Sequence, residues 1–238
     1  MEPVGLLRRV AVVIPAWNEA EAIGPVVREV LQQGIGEVVV ADGGSTDGTA
    51  DAARSAGARM VDGGRGYGRA CARGAAAASP GCDVIAFMDG DGADCADQLA
   101  RLAGPVLDGK QDFTIASRTR GQRAPGSMNW HQVLAGALAG RIMGALYGVR
   151  YTDMCAFRVI RRDTLAQLGM TEMTYGWNIE MQMKAARAGL RILELPVPYR
   201  CRIAGTSKVA GSLRGTVRAS TRIVSTFARV AMAGSGAK

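Results

Sequence analysis

Short apolar runs alternate with helix-like stretches along the first half of the chain. "RVAVVIP" (9–15), "GEVVVAD" (36–42), "ARMVD" (58–62), "CDVIAFMD" (82–89) and "DFTIAS" (112–117) are apolar or β-branched and each stops at a Pro, Asp or Ser. They predict strands. Helical patterns fill the gaps at about 19–33, 46–57, 68–78 and 95–108. This alternation predicts an α/β fold, a mostly parallel sheet with helices on both faces. In such sheets ligands bind beyond the carboxyl ends of the strands. Asn18 and Glu19 follow the first run, Asp42 and Ser45 the second, and Asp89 and Asp91 the fourth. These residues are expected in one crevice.

The second half is less regular. "SRTRGQRAPGSMN" (117–129) reads as a basic loop, followed by a Gly/Ala-rich helix over about 130–147. "YTDMCAFRVIRRDTL" reads as a strand leading into a turn, "WNIEMQMKAARAGL" as a helix and "RILELPVPYRCR" as a strand. In the tail, 212–234, Arg214, Arg218 and Arg222 recur every fourth residue, while Val217, Val224, Phe227 and Ala231 fall on another face. That pattern predicts a basic amphipathic helix, suited to a membrane surface, to packing back on the domain, or to a dimer contact. The predicted division is a main domain over 1–211 and a tail over 212–238.

The 238 residues carry a formal charge of +8, which favours an anionic partner: nucleic acid, phosphorylated small molecules or a lipid surface. Aromatic residues make up only 5% and form no basic–aromatic platform, which argues against a nucleic-acid module. No run reaches the roughly 18 apolar residues that a spanning helix needs. "MEPVGLLRRVAVVIPAW" runs straight into a strand pattern and does not read as a signal peptide. The five cysteines have no CxxC pair and no zinc-ligand spacing, and read as reduced thiols of a cytosolic protein.

"FMDGDGAD" (87–94) places Asp89, Asp91 and Asp94 within six positions. A D-x-D at a strand end presents two carboxylates on one side of the chain, and hard oxygen ligands suit Mg²⁺ or Mn²⁺ shared with a diphosphate. Gly90 and Gly92 would leave room for that diphosphate. The alternative is an exposed acidic turn that caps the next helix. In "VVVADGGSTDGT", Ser45 and Asp47 are candidate caps and Asp42 a candidate acceptor from a ribose or base. "GRGYGRA" (64–70) lacks the acidic residue of a dinucleotide fingerprint; it reads as a phosphate- or base-contacting turn with Arg65 and Arg69, or as a plain helix start.

Taken in order, "VVIPAWNEAEAI", "VVVADGGSTDGT", "MDGDGAD", "ASRTRG", "TDMCAFRVIRR", "YGWNIEMQMKAARAGLRILELPVPYRCR" and "AGTSKVAG" resemble the family 2 glycosyltransferases. Within them the chain looks most like the polyprenyl-phosphate (dolichyl-phosphate) mannosyl- and glucosyltransferases, over roughly residues 9–211. The resemblance implies a GT-A fold, Rossmann-like, and inverting transfer of a hexose from UDP-glucose or GDP-mannose to a polyprenyl phosphate, with Mg²⁺ or Mn²⁺. It assigns Pro15, Trp17, Glu19 and Asp42 to the nucleotide, and Asp89 and Gly90 to the neighbourhood of ribose or sugar. Asp91 would ligate the metal, with Asp89 beside it. Arg118, Arg123 and Ser127 would clamp the acceptor phosphate. Arg202 and Lys208, spaced R-x5-K, would meet the donor diphosphate.

The chain departs from that pattern at Gly43, where a second Asp is common, at Trp17, where Tyr or Phe is usual, and at Ala93, which cannot complete a metal shell as a side chain there often does. Asp94 or water would substitute. Asp153 is the candidate base should the acceptor be a hydroxyl of a small molecule, with Glu180 a second choice or a structural partner for a cation. His131, the only histidine, has a weak claim on substrate, and Met181 and Met183 read as core. The expected location is the cytoplasm, peripherally at the inner face of the cell membrane. Competing readings are a soluble transferase, a nucleotidyltransferase (which would open on a Gly-rich basic loop) and an inactive scaffold.

Overall fold

The computed structural model describes residues 3–205 and 213–232. Among these, seven strands form one sheet: β1 (Val10–Ala16), β2 (Glu37–Asp42), β3 (Arg59–Asp62), β4 (Val84–Phe87), β5 (Phe113–Ser117), β6 (Arg158–Arg161) and β7 (Ile192–Pro196), in the spatial order β3-β2-β1-β4-β6-β5-β7. The pairs β1–β2, β2–β3, β1–β4 and β5–β7 are parallel, and β6 runs antiparallel between β4 and β5. The sheet is mostly parallel, as its alternating pattern predicts. Val10, Val12, Val13 and Ile14 of β1 have no exposed surface, because helices cover both faces and leave no solvated side to mark by alternation.

The helices are α1 (Pro3–Leu7), α2 (Ala20–Leu31), α3 (Thr49–Ser55), α4 (Tyr67–Ala77), α5 (Leu99–Leu107), α6 (Trp130–Tyr147), α7 (Arg162–Gln167), α8 (Trp177–Arg187) and α9 (Leu213–Met232). Two differences from the sequence reading have clear causes. The stretch 162–165, expected as a turn, opens α7, whose first turn carries Asp163, an acid suited to the positive end of a helix that accepts from the Thr164 amide at 2.7 Å. The final strand stops at Pro196, well before Arg202, since prolines 196 and 198 supply no ladder donor.

The described end of α9 packs on the body of the protein. Thr226 and Val230 are buried, the Thr226 hydroxyl donates to Glu172 at 3.0 Å, and Arg229 bonds Thr171 and Glu172. Ile223, Phe227 and Ala231 pack against the core, so of the apolar face predicted for the tail Phe227 and Ala231 are covered, Val224 is exposed, and the side chain of Val217 lies outside the described residues.

Order reverses at β1, with β2 on one side and β4 on the other. That is the position at which a parallel sheet opens a crevice past its strand ends. Residues 15–19 and 88–94 leave β1 and β4 there. All five cysteines are free thiols, four of them buried.

Candidate active site

One wall of the crevice is built by the loops after β1 and β2, which bind each other. Ser45 Oγ accepts from the Asn18 amide at 2.8 Å, and Asn18 Oδ1 accepts from the Thr46 amide at 3.0 Å. Asp47 accepts from the Ala20 amide at 3.1 Å as well as from Thr49, so it serves the starts of both α2 and α3. Asp42 is held by the Ser45 amide and hydroxyl. A side chain at Gly43 would stand 3.4 Å from the Ala16 carbonyl and 3.5 Å from Trp17 Cβ, so Gly43 lies against Trp17, while Asp42 pairs with Ala16 in the sheet. Trp17 is 45% exposed, a large aromatic face left open over this wall. Pro15 and Glu19 flank it, Glu19 with its amide bound to Thr49 Oγ1 at 2.8 Å.

The acidic turn after β4 is the floor. Asp91 accepts from the Ala93 amide through Oδ1 at 2.9 Å and from Arg202 Nη2 through Oδ2 at 2.6 Å. Asp89 accepts from the Tyr67 hydroxyl at 3.3 Å, and Asp94 Oδ2 accepts from the Asp89 amide at 3.2 Å. Asp94 therefore braces its own loop through Oδ2. Burial, then the neighbouring Asp89 and Asp91 charges, push the Asp94 carboxyl up to about 8. Burial and Asp91 likewise raise Asp89, against the opposing pull of Arg118.

The glycines of this turn do not supply empty space, contrary to the expectation for Gly90 and Gly92. A Cβ at Gly90 would press on Ile14 and Ile23 at 3.2 Å, and one at Gly92, where φ is +80°, would meet Ile203 at 2.4 Å. Gly92 is required by its left-handed backbone and by the close approach of 199–203.

That segment joins the two sides of the site. The Arg200 amide donates to the Ala93 carbonyl at 2.9 Å and the Ile203 amide to the Asp91 carbonyl at 2.8 Å. The Tyr199 amide donates to the Gln122 carbonyl and its carbonyl accepts from the Ala124 amide, both at 2.9 Å. Thus residues 199–203 link the acidic turn to the basic loop, and the Tyr199 ring lies 5.0 Å beneath the Arg118 guanidinium.

Arg118 and Asp153 form a bidentate pair, Nε to Oδ2 and Nη2 to Oδ1, each 2.8 Å. Oδ2 also accepts from the Arg118 amide at 3.0 Å and Oδ1 from the Met154 amide at 2.7 Å. Asp153 is 2% exposed and its four acceptor positions are filled. Burial opposes its ionisation, but the hydrogen bonds and charge of Arg118 outweigh burial and hold the carboxyl below its usual range. The geometry corrects the expectation for Asp153: it orients Arg118 and has no lone pair directed at a hydroxyl acceptor. Glu180 is also spoken for, accepting from Thr171 and the Glu172 amide and pairing with Lys184 at 3.0 Å.

Between floor and basic loop lies a cavity of about 210 Å³, lined among others by Asp91, Arg118, Ser127, Asn129, Tyr199 and Arg202. Two polar atoms facing this region, Ser127 Oγ and Arg202 Nη1, are buried and have no hydrogen-bond partner. A buried, unsatisfied donor costs free energy until something accepts from it, so an anion fits here. Arg123 lies outside the cavity lining, exposed, with its guanidinium toward the Met128 sulfur at 3.9 Å. Lys208 lies outside the described residues. His131 packs edge-on to Trp130 and does not line the cavity, and Met181 and Met183 are core.

Sequence reasoning missed Tyr67 and Tyr199. Tyr67 sits in "GRGYGRA", whose glycines permit tight packing: a Cβ at Gly66 or Gly68 would strike the carbonyls of Met173 and Glu172 at 2.4 and 2.3 Å. The loop is a helix start that delivers the Tyr67 hydroxyl to Asp89. Among the described residues no three His, Cys, Asp or Glu side chains form a ready-made metal cage. The oxygen-only donors Asp89 and Asp91 nevertheless fit a hard divalent cation that draws its remaining ligands from a diphosphate and water.

A crevice at the strand-order reversal, with an exposed tryptophan, an acidic turn and an arginine-lined anion cavity, suits the enzymes that transfer a sugar from a nucleotide, the glycosyltransferases. Residues 11–169 match the family model described as glycosyl transferase family 2, and the chain belongs to that family. It is 34% identical over 229 residues to an undecaprenyl-phosphate mannosyltransferase of Micrococcus luteus, covering 87% of this chain and 90% of the relative. It is 34% identical over 203 residues to a dolichyl-phosphate hexose transferase of Haloferax volcanii, covering 84% and 86%. The fold matches the crystal structure of glucosyl-3-phosphoglycerate synthase from Mycobacterium tuberculosis in complex with Mn²⁺, UDP-glucose and phosphoglyceric acid, with a TM-score of 0.75 and 22% identity, over 97% of this chain and 84% of that one.

Proposed function

We propose that the protein transfers a hexose, with inversion, from a nucleotide sugar (UDP-glucose or GDP-mannose) to the phosphate of a polyprenyl phosphate. The observation that carries this reading is the pair of buried, unpartnered donors, Ser127 Oγ and Arg202 Nη1, in a cavity that also contains Arg118. Forked guanidinium groups suit phosphate oxygens. The names of the relatives, an undecaprenyl-phosphate mannosyltransferase and a dolichyl-phosphate hexose transferase, support the same acceptor class.

In this reading Pro15, Trp17, Glu19 and Asp42 hold the nucleotide, Asp89 and Gly90 border the ribose and sugar, and Arg202 with Lys208 receives the diphosphate. Asp89 and Asp91 would hold Mg²⁺ or Mn²⁺, which when bound supplies charge neutralisation to the departing nucleoside diphosphate. Arg118 and Ser127, with Arg123 at the entrance, orient the acceptor so that one phosphate oxygen faces the anomeric carbon opposite the diphosphate. That oxygen forms the new bond to the anomeric carbon as the bond to the diphosphate oxygen breaks, and the electron pair leaves with the nucleotide. A phosphate is anionic near neutral pH, so no base is needed, which agrees with the full engagement of Asp153 by Arg118 and Met154. Catalysis is then positioning and electrostatics. Residues 1–211 would carry the reaction, with α9 bracing the 171–172 loop, and the enzyme would work at the cytoplasmic face of a membrane. Among the described residues no helix is long and apolar enough to cross one.

The test is transfer of radiolabelled hexose from each donor to a short polyprenyl phosphate, with Mg²⁺ or Mn²⁺. Label that extracts into organic solvent and is lost by at least a hundredfold in Asp91→Ala is the expected result. Label appearing only on hydroxylated small molecules would overturn the acceptor assignment.

A further inference from the structure

α6 places large apolar side chains at every fourth position on its outer face. Trp130 is 77% exposed, Leu134 57%, Leu138 55%, Ile142 39% and Leu146 51%. At a rise of 1.5 Å per residue this stripe is about 24 Å long. The opposite face is fixed to the protein: Gly136, Gly140 and Met143 are buried, and a Cβ at Gly140 would stand 1.7 Å from the Tyr151 carbonyl oxygen. That backbone approach locks the rotation of α6, so the stripe cannot turn inward. Isolated exposed apolar residues are ordinary, but a continuous stripe marks an interaction surface.

The charge around the stripe identifies its partner. From residue 113 to 152 the chain contains five arginines (118, 120, 123, 141 and 150) and no Asp or Glu. Arg120, Arg123, Arg141 and Arg150 are half-buried or exposed. A second copy of the chain would bring these arginines against each other. An anionic lipid surface would complement them while taking up the apolar side chains. The stripe is also continuous with the acceptor cavity, since Met128, Asn129 and Gln132, at the start of α6, line that cavity. α9 is the weaker candidate, because Ile223, Phe227, Val230 and Ala231 already pack on the core and leave Val224 and Met232 as its exposed large apolar side chains among the described residues.

We infer that α6 lies in the headgroup region of an anionic bilayer, with Trp130–Leu146 as its inserted face and the acceptor cavity opening at its N-terminal end. The inference builds on the proposed acceptor by naming the surface across which a lipid phosphate enters. It stands or falls separately, because vesicles without any polyprenyl phosphate test it.

The experiment is binding of the full chain to vesicles of 30% phosphatidylglycerol and 70% phosphatidylcholine, read by co-sedimentation and by the Trp130 emission shift. Leu138→Gln/Leu146→Gln is the test variant, at two exposed sites remote from the cavity, with Val224→Gln on α9 for comparison. The double variant is expected to bind about thirtyfold more weakly, from the loss of two roughly half-inserted leucines, while Val224→Gln stays within about twofold. Circular dichroism unchanged from the parent identifies the loss as one of surface. Binding retained by the double variant overturns the inference. So does a parent that ignores vesicles but forms a dimer which the double variant dissociates, since a second copy would then cover α6. Vesicle binding that needs the stripe, with no label reaching lipid in the transfer assay, would leave the membrane surface standing and remove the polyprenyl acceptor.

Discussion

Replacing Asp153 by alanine separates a base from a positioning residue. The Arg118–Asp153 pair is bidentate at 2.8 Å, with side chains 17% and 3% exposed. Removing one partner of such a buried pair costs about 3–5 kcal/mol, mostly because the other charge is left uncompensated. In a chain of this size each kcal/mol lowers the melting temperature by about 2–4 °C, so a fall on the order of 10 °C is expected by scanning calorimetry. The acceptor KM should rise at least tenfold as Arg118 loses its orientation, while the donor KM stays close to that of the parent. Arg118→Met/Asp153→Ala should recover much of the lost stability, because it buries no lone charge, yet it should not recover acceptor binding. A different outcome is required of a general base: Asp153→Ala would keep its melting temperature, lose kcat, and lose the acid limb of the pH–rate profile. That pattern would refute the positioning role.

Arg202 bonds Asp91 Oδ2 at 2.6 Å, on the carboxylate proposed to hold the metal. Arg202→Gln should therefore tighten Mn²⁺ binding in the absence of nucleotide, by about tenfold or 1.4 kcal/mol, and raise the donor KM; electron paramagnetic resonance titration of free Mn²⁺ checks the first. A pH effect follows from Asp94, whose carboxyl is lifted from 3.8 to about 8 in the folded chain. The neutral form is the one that folding favours, so its contribution is complete below about pH 4 and is lost as pH rises through about 8. Without divalent cation the melting temperature of the parent should decline over that window relative to Asp94→Asn, and equal slopes for the two proteins would contradict this.

Much of the sheet was legible because parallel strands buried on both faces read as unbroken apolar runs, as in 10–14 and 84–87. The crevice was legible too, since polar residues interrupt those runs only at the strand ends. The partnership of Arg118 with Asp153 was not: it spans 35 positions and depends on β6 entering between β4 and β5. Nor could the glycines at 90 and 92 be separated into packing and space, because their neighbours Ile23 and Ile203 come from opposite ends of the chain. α6 shows a third limit. Its apolar residues nearly encircle it, and only the approach of the Tyr151 carbonyl to Gly140 decides which of them face outward.

The segment 199–203 touches Arg118 through the Tyr199 ring, the basic loop through Gln122 and Ala124, and the acidic turn through Ala93 and Asp91. Its consequence is for modular exchange between related enzymes. A graft of residues 117–129 alone, intended to change the acceptor, would cut the new loop from the ribbon that sets its height above the acidic turn. Residues 199–203 belong to that cassette although they lie some seventy positions away, and the natural unit of exchange is the loop together with this ribbon.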